Sequence, residues 1–319
     1  MIEVTMSVWA TGQQPSRIQR HGRYLPASMK HPAKMLPAIA AQVIATYTRP
    51  GDLVIDPMCG IGTTLVEAVH QDRHAAGVEL EERWAHLAVA NLAHARRNGA
   101  GGFGRVVTGD ARHIAGLLPD LHGKAGLMLT SPPYGLATHG HVRSSRDSGQ
   151  PGVRKWNHHY TDRADRANLA YQRLPGLLDG FSRILAGSFR SLRPGGVVAV
   201  TARPYRHHGE LIDLPGQIIT LGRRAGLEFA DRIVCLLCGL GDGTLLNRAS
   251  FFQLHEARRG WADGRPIHAI AHEDLLVFRK PSDDPPPARH PADTTYGHPA
   301  QRRSAPETAT SADGPADFA

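Results

Sequence analysis

The sequence predicts an α/β fold built on a mostly parallel sheet with helices on both faces. Strand-like and helix-like segments alternate from residue 51 to about residue 202, a pattern typical of βαβ units. A glycine-containing loop at residues 54–64 separates the first buried strand of this series from the first helix. The chain has 319 residues, of which 41% are hydrophobic and 21% charged, so it is long enough to bury a substantial core.

Each element of the series follows from its hydrophobic pattern. A helix is predicted first, over residues 36–48, because its apolar residues recur at helical spacing. Strands are then predicted at residues 51–57, 74–80, 105–110, 126–131, 195–202 and 274–280, and helices at residues 63–71, 81–97 and 177–192. No apolar run approaches the roughly 18 residues that a membrane span needs, so no membrane segment is expected.

Other regions fall outside this series. Residues 1–30 are polar and predict an irregular N-terminal segment before one domain at residues 31–280. Residues 281–319 hold eight of the 23 prolines and few large apolar residues, and therefore predict a disordered tail. Two insertions, residues 137–174 and residues 239–270, interrupt the α/β pattern and are candidate substrate-contact regions.

The charge balance favours a polyanionic partner. The chain carries 37 Lys and Arg against 29 Asp and Glu, a net charge of +8. In the first insertion, Arg143, Arg146, Arg154 and Lys155 are candidate nucleic-acid contacts, and the alternative is an ordinary solvated loop. Three cysteines cannot build a disulfide framework, and the first 17 residues do not resemble a signal peptide, so a cytoplasmic location is expected.

The loop after the first strand is a candidate cofactor site, because the carboxyl ends of parallel strands form the ligand crevice of such sheets. Its glycines allow close approach of a ligand, and a threonine can cap a helix whose positive end suits an anion. Glu79 ends the next strand, where an acid binds ribose hydroxyls, and Asp110 ends the following one, where it can accept from an adenine amino group. We therefore predict an adenosine bearing a small charged group; the alternative is that these acids only cap helices. Candidate contacts within the loop are Asp56, Pro57, Cys59, Gly60, Gly62 and Thr63.

Ser131-Pro132-Pro133-Tyr134 follows a buried strand at the same edge of the predicted sheet. A proline has no N–H and holds the preceding residue extended, so the carbonyls of Ser131 and Pro132 can face outward as fixed acceptors. Two such acceptors suit an exocyclic amino group, whose lone pair then points at an electrophile, and they stabilise the positive charge that develops on nitrogen. Tyr134 offers a surface on which a planar base can stack. The alternative is an ordinary Pro-Pro turn.

Together, the loop and this tetrapeptide resemble the amino-directed DNA methyltransferases, which modify cytosine N4 or adenine N6. The similarity extends over about residues 31–280 and implies a Rossmann-like domain with S-adenosylmethionine as cofactor. It also implies that His31 and Lys34 lie on the methionine side of the cofactor, Glu79 at its ribose and Asp110 at its adenine. The serine before Pro-Pro-Tyr is similar to the cytosine-N4 enzymes.

The resemblance implies direct methyl transfer from S-adenosylmethionine to a base flipped out of DNA, with cytosine N4 preferred and a role in restriction-modification. Catalysis is then expected at Ser131, Pro132, Pro133 and Tyr134. Three alternatives remain open: adenine-N6 methylation of DNA, guanosine-N2 methylation of RNA such as tRNA, and nucleic-acid binding without catalysis.

The cysteines predict neither a metal site nor a covalent intermediate. Cys235 and Cys238 have the spacing of half a zinc site, but no second ligand pair with metal spacing follows them. The two leucines between them favour a buried strand. Cys59 lies in the cofactor loop, and no Pro-Cys dipeptide occurs in the chain, so a cysteine nucleophile for carbon-5 methylation is not expected.

Overall fold

Eight strands form the central sheet of the protein in the computed structural model, which describes residues 6–134, 141–143, 154–156, 167–207, 209–248 and 251–282. The described strands are β1 (Val8–Trp9), β2 (Leu53–Asp56), β3 (His74–Glu79), β4 (Gly104–Thr108), β5 (Ala125–Thr130), β6 (His141–Arg143), β7 (Arg154–Trp156), β8 (Leu192–Ala202), β9 (Tyr205–His207), β10 (Glu210–Ile212), β11 (Glu228–Leu236), β12 (Gly239–Gly241), β13 (Thr244–Leu246) and β14 (His272–Arg279). The described α-helices are α1 (Ser16–Arg20), α2 (Pro37–Tyr47), α3 (Thr63–Val69), α4 (Glu82–Arg97), α5 (Ile114–Leu117), α6 (Leu174–Ser191), α7 (Leu214–Arg224) and α8 (Phe251–Ala262). Short 3₁₀ helices lie at Pro26–Lys30, Ala111–His113, Pro119–Leu121 and Leu169–Tyr171.

The strand order of the central sheet is β1-β11-β14-β8-β5-β2-β3-β4. β4, β3, β2, β5 and β8 are parallel to their neighbours in that order, whereas β14 runs antiparallel to both β8 and β11. The predicted α/β class with a mostly parallel sheet is therefore confirmed. β3 and β4 extend the sheet on one side of β2, and β5 and β8 extend it on the other. The carboxyl ends of β2 and β5 thus flank the point where the strand order reverses, which is where α/β sheets bind ligands.

Helices cover both faces of the sheet, and each face has its own apolar core. On one face, Ile39 of α2, Leu65 of α3 and Leu92 of α4 belong to a single buried cluster. On the other face, Phe181 of α6 and Ile218 of α7 belong to a second cluster. Because central strands are covered on both sides, all residues of β5 are buried and the strand reads as a continuous apolar run.

The N-terminal segment differs from the irregular structure expected for residues 1–30. Its described part contains β1, α1 and a 3₁₀ helix. Arg23 and Tyr24 both donate to the buried carboxylate of Glu67 on α3, the Tyr24 hydroxyl from 2.6 Å. These contacts join residues 43 and 44 positions apart in the chain, so hydrophobic periodicity does not reveal them.

The two predicted insertions contain regular structure where they are described. β6 and β7 form an antiparallel pair inside residues 137–174, with Arg143 opposite Arg154. β12 and β13 form a second antiparallel pair inside residues 239–270, and α8 follows them. Much of the remaining first insertion, and the predicted tail from residue 283, lie outside the described residues.

The longest described helix, α6, shows how the pattern of buried residues places a helix on the sheet. Leu177, Phe181, Ile184 and Leu185 recur on one face and are buried.

No helix in the described ranges is both long and apolar enough to cross a membrane. The described residues between positions 6 and 282 belong to one compact unit. The predicted domain boundaries at residues 30 and 280 stay predictions.

Candidate active site

A pocket opens at the carboxyl ends of β2, β3, β4 and β5, beside the point where the strand order reverses. Its walls come from the segment before α2, the loop after β2, the residues that end or follow β3, β4 and β5, and the 3₁₀ helix Leu169–Tyr171. The predicted site residues that line it are His31, Lys34, Asp56, Pro57, Cys59, Gly60, Thr63, Glu79, Asp110, Ser131, Pro132, Pro133 and Tyr134. The cofactor loop and the Ser-Pro-Pro-Tyr segment therefore border one cavity.

The two glycines of the loop do different things. Gly60 lines the pocket with φ +53°, and a Cβ there would lie 3.2 Å from Nε2 of His31. Gly62, also predicted to bind the cofactor, is not one of the described lining residues. It precedes α3 with φ +81°, and a Cβ there would lie 3.2 Å from the Cβ of Ala88 on α4. Gly62 therefore allows α3 to begin and to pack against α4.

Asp56 links the cofactor loop to the neighbouring strand β5 by hydrogen bonds. Its carboxylate accepts the Thr130 hydroxyl at 2.8 Å, the Thr64 hydroxyl at 2.7 Å and the Met58 N–H at 3.0 Å. Burial raises the pKa of Asp56 to about 6, and the three hydrogen bonds oppose that rise. Because Thr130 ends β5 directly before Ser131, Asp56 fixes the cofactor loop relative to the Ser-Pro-Pro-Tyr segment.

Glu79 is held in place by two backbone donors. One carboxylate oxygen accepts the N–H of Gly60 at 2.8 Å, and the other accepts the N–H of Glu81 at 2.9 Å. Burial raises the pKa of Glu79 to about 7, while the two backbone hydrogen bonds favour the charged form. A carboxylate oxygen has more than one lone pair, so each of these oxygens can accept a further hydrogen bond from a ligand hydroxyl.

His31 and Lys34 form the wall next to this loop. His31 is buried, its Nδ1 accepts the Ala33 N–H at 3.3 Å, and its ring meets that of Trp84 edge to face with centroids 4.7 Å apart. Burial lowers the pKa of His31 to about 3, so the ring is neutral at physiological pH. Burial also lowers the pKa of Lys34 to about 8, and its Nζ donates to the His31 carbonyl at 2.6 Å. Lys34 therefore supplies a cation near neutral pH.

The Ser-Pro-Pro-Tyr segment follows β5 immediately. Pro132 is buried, whereas Ser131, Pro133 and Tyr134 are half-buried at the pocket wall. The ring of Tyr134 packs against the core on the α6 side of the sheet. The tetrapeptide thus packs against the core through Tyr134 and borders the same cavity as Glu79.

Comparison with known proteins gives a family match to the N-terminal part of the chain. Residues 3–90 match the N6/N4 DNA methylase family, and the matched stretch includes His31, Lys34, the loop after β2 and Glu79. The predicted family resemblance is confirmed. S-adenosylmethionine, the cofactor predicted from this resemblance, is confirmed with it.

Two curated relatives are tRNA (guanine(10)-N2)-dimethyltransferases. The protein of Methanocaldococcus jannaschii is 34% identical over 110 residues, which cover 34% of this chain and 31% of the relative. The protein of Methanothermobacter thermautotrophicus is 31% identical over 108 residues, which cover 34% of this chain and 30% of the relative. The chain therefore spans about a third of the length of the curated relatives it matches.

Solved structures with a similar backbone include TrmN from Thermus thermophilus. It has 19% sequence identity and a TM-score of 0.45, and the match covers 82% of this chain and 53% of that chain. A methyltransferase from Pyrococcus furiosus has 15% identity and a TM-score of 0.43, with 81% of this chain and 88% of that chain covered.

The residues of the pocket fit S-adenosylmethionine. Glu79 presents carboxylate oxygens for ribose hydroxyls, and Lys34 presents a cation for the carboxylate of the methionine part. Met58 and Leu80 add apolar surface to the walls, and at Gly60 the absence of a side chain keeps the space beside His31 open. The pocket thus combines an acid, a cation and apolar walls, as an adenosine with an amino-acid chain requires.

Asp110 lines the pocket, and its carboxylate is already paired with Arg112. Its carboxylate accepts from the backbone N–H of Arg112 and from the Arg112 side chain, whose Nε lies 2.9 and 3.0 Å from its two oxygens. Burial alone would raise the pKa of Asp110, but these hydrogen bonds outweigh burial and lower it. An adenine amino group would therefore share this carboxylate with Arg112. The sequence pattern did not indicate this pairing of Asp110 with Arg112.

Asn168 is a further residue that lines the pocket, and the sequence analysis missed it. It lies in the predicted basic insertion, yet it is 8% exposed, lines the pocket and donates to the Glu81 carboxylate at 2.9 Å. Its own oxygen accepts the Ala170 N–H at 2.9 Å and begins the 3₁₀ helix Leu169–Tyr171. An asparagine before a short turn of helix is the one sequence signal that could have located it.

The predicted nucleic-acid contacts are not tested by the structure. Arg143, Arg154 and Lys155 belong to β6 and β7, but their side chains lie outside the described residues, as does all of Arg146.

In the described ranges, no group of three or more His, Cys, Asp or Glu could hold a metal ion. Cys235 and Cys238 are free and buried.

Proposed function

We propose that this protein is an S-adenosylmethionine-dependent methyltransferase that modifies the exocyclic amino group of a base in nucleic acid, with cytosine N4 in DNA as the first candidate. One observation carries the proposal. The Ser131–Tyr134 segment and Glu79 border the same pocket, and the bond from Thr130 to Asp56, 2.8 Å long, joins the two halves of that pocket. The methyl group of a cofactor bound by the loop and a base bound by the tetrapeptide would therefore lie in the same cavity.

When it is bound, the cofactor supplies a methyl group attached to a sulfonium, which is the electrophile. Glu79 would accept from the ribose hydroxyls and Lys34 would bind the amino-acid carboxylate. His31, neutral because burial lowers its pKa to about 3, would add no charge to this wall. Asp56 would keep the loop at a fixed distance from the Ser-Pro-Pro-Tyr segment.

The tetrapeptide would bind and orient the amine that accepts the methyl group. The carbonyls of Ser131 and Pro132 precede prolines, so the local backbone has no N–H donor that competes for them. An amino group that donates both of its hydrogens to these carbonyls directs its lone pair away from ring conjugation. The carbonyl dipoles then stabilise the positive charge that grows on nitrogen. No side chain needs to act as a base before transfer, because the proton leaves once the nitrogen has become strongly acidic.

DNA is the preferred substrate for two reasons. The family matched by residues 3–90 is described as DNA methylase, and serine before Pro-Pro-Tyr resembles the cytosine-N4 members. A base inside a duplex cannot reach a pocket at the edge of a sheet, so the target nucleotide must be flipped out of the helix. Tyr134 would stack on the flipped base.

Guanine-N2 methylation of tRNA is the second candidate. It is favoured by the two curated relatives, whose names specify that reaction. Guanine N2 is also an exocyclic amine, so the same pair of carbonyl acceptors would serve it. Adenine-N6 methylation of DNA is a third candidate, because adenine N6 is an exocyclic amine as well.

One parallel experiment separates these substrates. The purified protein is incubated with S-adenosylmethionine carrying a labelled methyl group and with either DNA or tRNA, and the nucleosides are then analysed by mass spectrometry. The proposal predicts N4-methylcytosine in DNA. Labelled N2-methylguanosine in tRNA would instead establish the second candidate. No label in either nucleic acid, with cofactor binding intact, would contradict the methyltransferase proposal in favour of a binding protein.

A further inference from the structure

The ring of Tyr134 is contacted by two side chains of one short segment, residues 203–205. The Cζ atom of Arg203 lies 5.4 Å from the centre of the Tyr134 ring, over its face. The ring of Tyr205 meets the Tyr134 ring nearly at right angles, at 72°, with centroids 6.2 Å apart. Both distances are typical of favourable cation–π and aromatic contacts.

The fold fixes this arrangement. β5 and β8 are neighbouring parallel strands, and Thr130 at the end of β5 is in register with Val200 of β8. Tyr134 lies four residues after Thr130, and Arg203 lies three residues after Val200 and directly after the last residue of β8, so the sheet brings their backbones to the same edge. Within the described ranges, Arg203 and Tyr205 are not among the residues that line the pocket, whereas Tyr134 is. They therefore contact its ring from outside the pocket.

Arg203 has no ion-pair partner in the described part of the chain, although it is half-buried. Its guanidinium instead lies over an aromatic face. Burial raises the pKa of the Glu273 carboxyl group, and the nearby positive charge of Arg203 opposes that rise. A partly desolvated guanidinium stacks well on an aromatic ring because it is planar and weakly hydrated.

We propose that Arg203 is a positioning residue, which fixes the ring plane of Tyr134 so that a base in the pocket meets it in one orientation. Tyr205 assists by contacting the ring edge. This inference rests on the proposed stacking role of Tyr134. It goes further than that role because it assigns part of the substrate geometry to a residue that touches neither the cofactor nor the base.

The contact can be tested without knowledge of the substrate. The full-length protein is prepared with 3-fluorotyrosine at its seven tyrosines, and the ¹⁹F resonance of Tyr134 is assigned with Tyr134→Phe. We expect Arg203→Ala to shift or broaden this resonance, and Arg203→Lys, which keeps a cation, to restore it in part. Arg223→Ala is the matched control, because Arg223 lies 5.5 Å from the ring centre of Phe229, on the α7 side, in the same kind of pair.

The effect on catalysis is tested with the nucleic acid that the labelling experiment identifies. We expect Arg203→Ala to lower kcat/KM by about 2- to 30-fold, the range for removal of a cation–π interaction, while cofactor affinity and the thermal midpoint stay close to wild type. Because Arg203 acts through Tyr134, the double variant of Arg203→Ala with Tyr134→Ala should be no slower than Tyr134→Ala alone. If Arg203 had only a structural role that is independent of Tyr134, the fold losses in kcat/KM of the two single variants would multiply in the double variant.

Two results would overturn the inference. One is a Tyr134 resonance that Arg203→Ala leaves unchanged, which would show that the contact does not fix the ring. The other is a double variant whose loss equals the product of the single losses. The resonance test remains decisive if no nucleic acid is methylated, so failure of the proposed function and failure of this inference are distinguishable.

Discussion

Glu79 accepts the backbone N–H of Gly60 at 2.8 Å, so the acid at the end of β3 is bonded directly to the glycine loop that follows β2. Its other oxygen accepts the Glu81 N–H at the start of α4. A carboxylate fixed from both sides needs no reorganisation when ligand hydroxyls arrive. This preorganisation makes Glu79 the most direct target for testing the cofactor site.

Replacing Glu79 by Ala should weaken binding of S-adenosylmethionine by about 1–3 kcal/mol, because hydroxyls that bond to a charged group would lose their partner. Isothermal titration calorimetry measures the change. Glu82→Ala is a suitable control, since Glu82 is an exposed acid in the first turn of α4 and is not among the described residues that line the pocket. Equal affinities of the Glu79 variant and the wild type would remove this acid from the site.

The pH dependence of cofactor affinity should have a maximum between about pH 7 and pH 8. Glu79, with a pKa of about 7, must lose its proton to accept ribose hydroxyls, so affinity should fall by up to about tenfold per unit as the pH drops below 7. Asp56, with a pKa of about 6, adds to this loss at lower pH. Lys34, with a pKa of about 8, loses its cation above pH 8, so affinity falls again.

Lys34→Arg isolates the alkaline limb of this profile, because arginine keeps its charge throughout the range. The ionisable groups of the cofactor are the same for both proteins, so the difference between the two curves belongs to residue 34. A profile measured by calorimetry from about pH 5.5 to about pH 9.5, which spans the pKa values of Glu79 and Lys34, should keep its affinity above pH 8 in the variant. Superimposable curves would show that Lys34 does not bind the carboxylate.

Asn168→Ala should weaken cofactor binding by about 1 kcal/mol, the usual value for a hydrogen bond to a partly buried group. Its amide donates to Glu81, and the Glu81 N–H donates to Glu79, so its loss should loosen the acid that binds the ribose. Asn98→Ala serves as the control, because Asn98 lies at the end of α4 and its side chain makes exposed hydrogen bonds. An affinity loss that is the same in both variants would count against a specific role for Asn168.

Most of the fold could be predicted because its signals are local. The buried runs of β2, β3 and β5, the glycine loop and the acid at the end of β3 are each visible within a short stretch of sequence. Proximity of the loop to the Ser-Pro-Pro-Tyr segment then follows, since both lie at carboxyl ends of parallel strands.

The parts that were missed depend on contacts that a short stretch of sequence does not specify. Asn168 reaches Glu81 across 87 positions, and its place inside a basic insertion gave no indication of a pocket residue. The pairing of Asp110 with Arg112 is local, but it needs a specific side-chain orientation that composition does not encode. Gly62 was predicted as a cofactor contact because a glycine lets a ligand approach the backbone closely, and the structure shows a second use for it, since a Cβ there would lie 3.2 Å from the Cβ of Ala88.

The basic insertion should supply phosphate contacts. Neutralising Arg143, Arg146, Arg154 and Lys155 together should flatten the salt dependence of DNA binding, by up to about 0.9 in log–log slope for each phosphate that the variant no longer neutralises. Fluorescence anisotropy at several salt concentrations measures this slope. The control neutralises four exposed arginines at the carboxyl ends of α4, α6 and α7, namely Arg96, Arg97, Arg190 and Arg224. If the control flattens the slope as much as the test variant, the phosphates are bound elsewhere on the protein.

On the proposed function, Tyr134 and the carbonyls of Ser131 and Pro132 direct methyl transfer to an exocyclic amine. The most direct measurement is kcat/KM for methyl transfer at subsaturating nucleic acid, compared between the wild type and Tyr134→Ala, with cofactor affinity measured on the same samples. Loss of base stacking is worth about 1–3 kcal/mol, so kcat/KM should fall by roughly five- to 150-fold while cofactor affinity stays nearly unchanged. A Tyr134→Ala protein that methylates its nucleic acid at the rate of the wild type would contradict the assignment of this site.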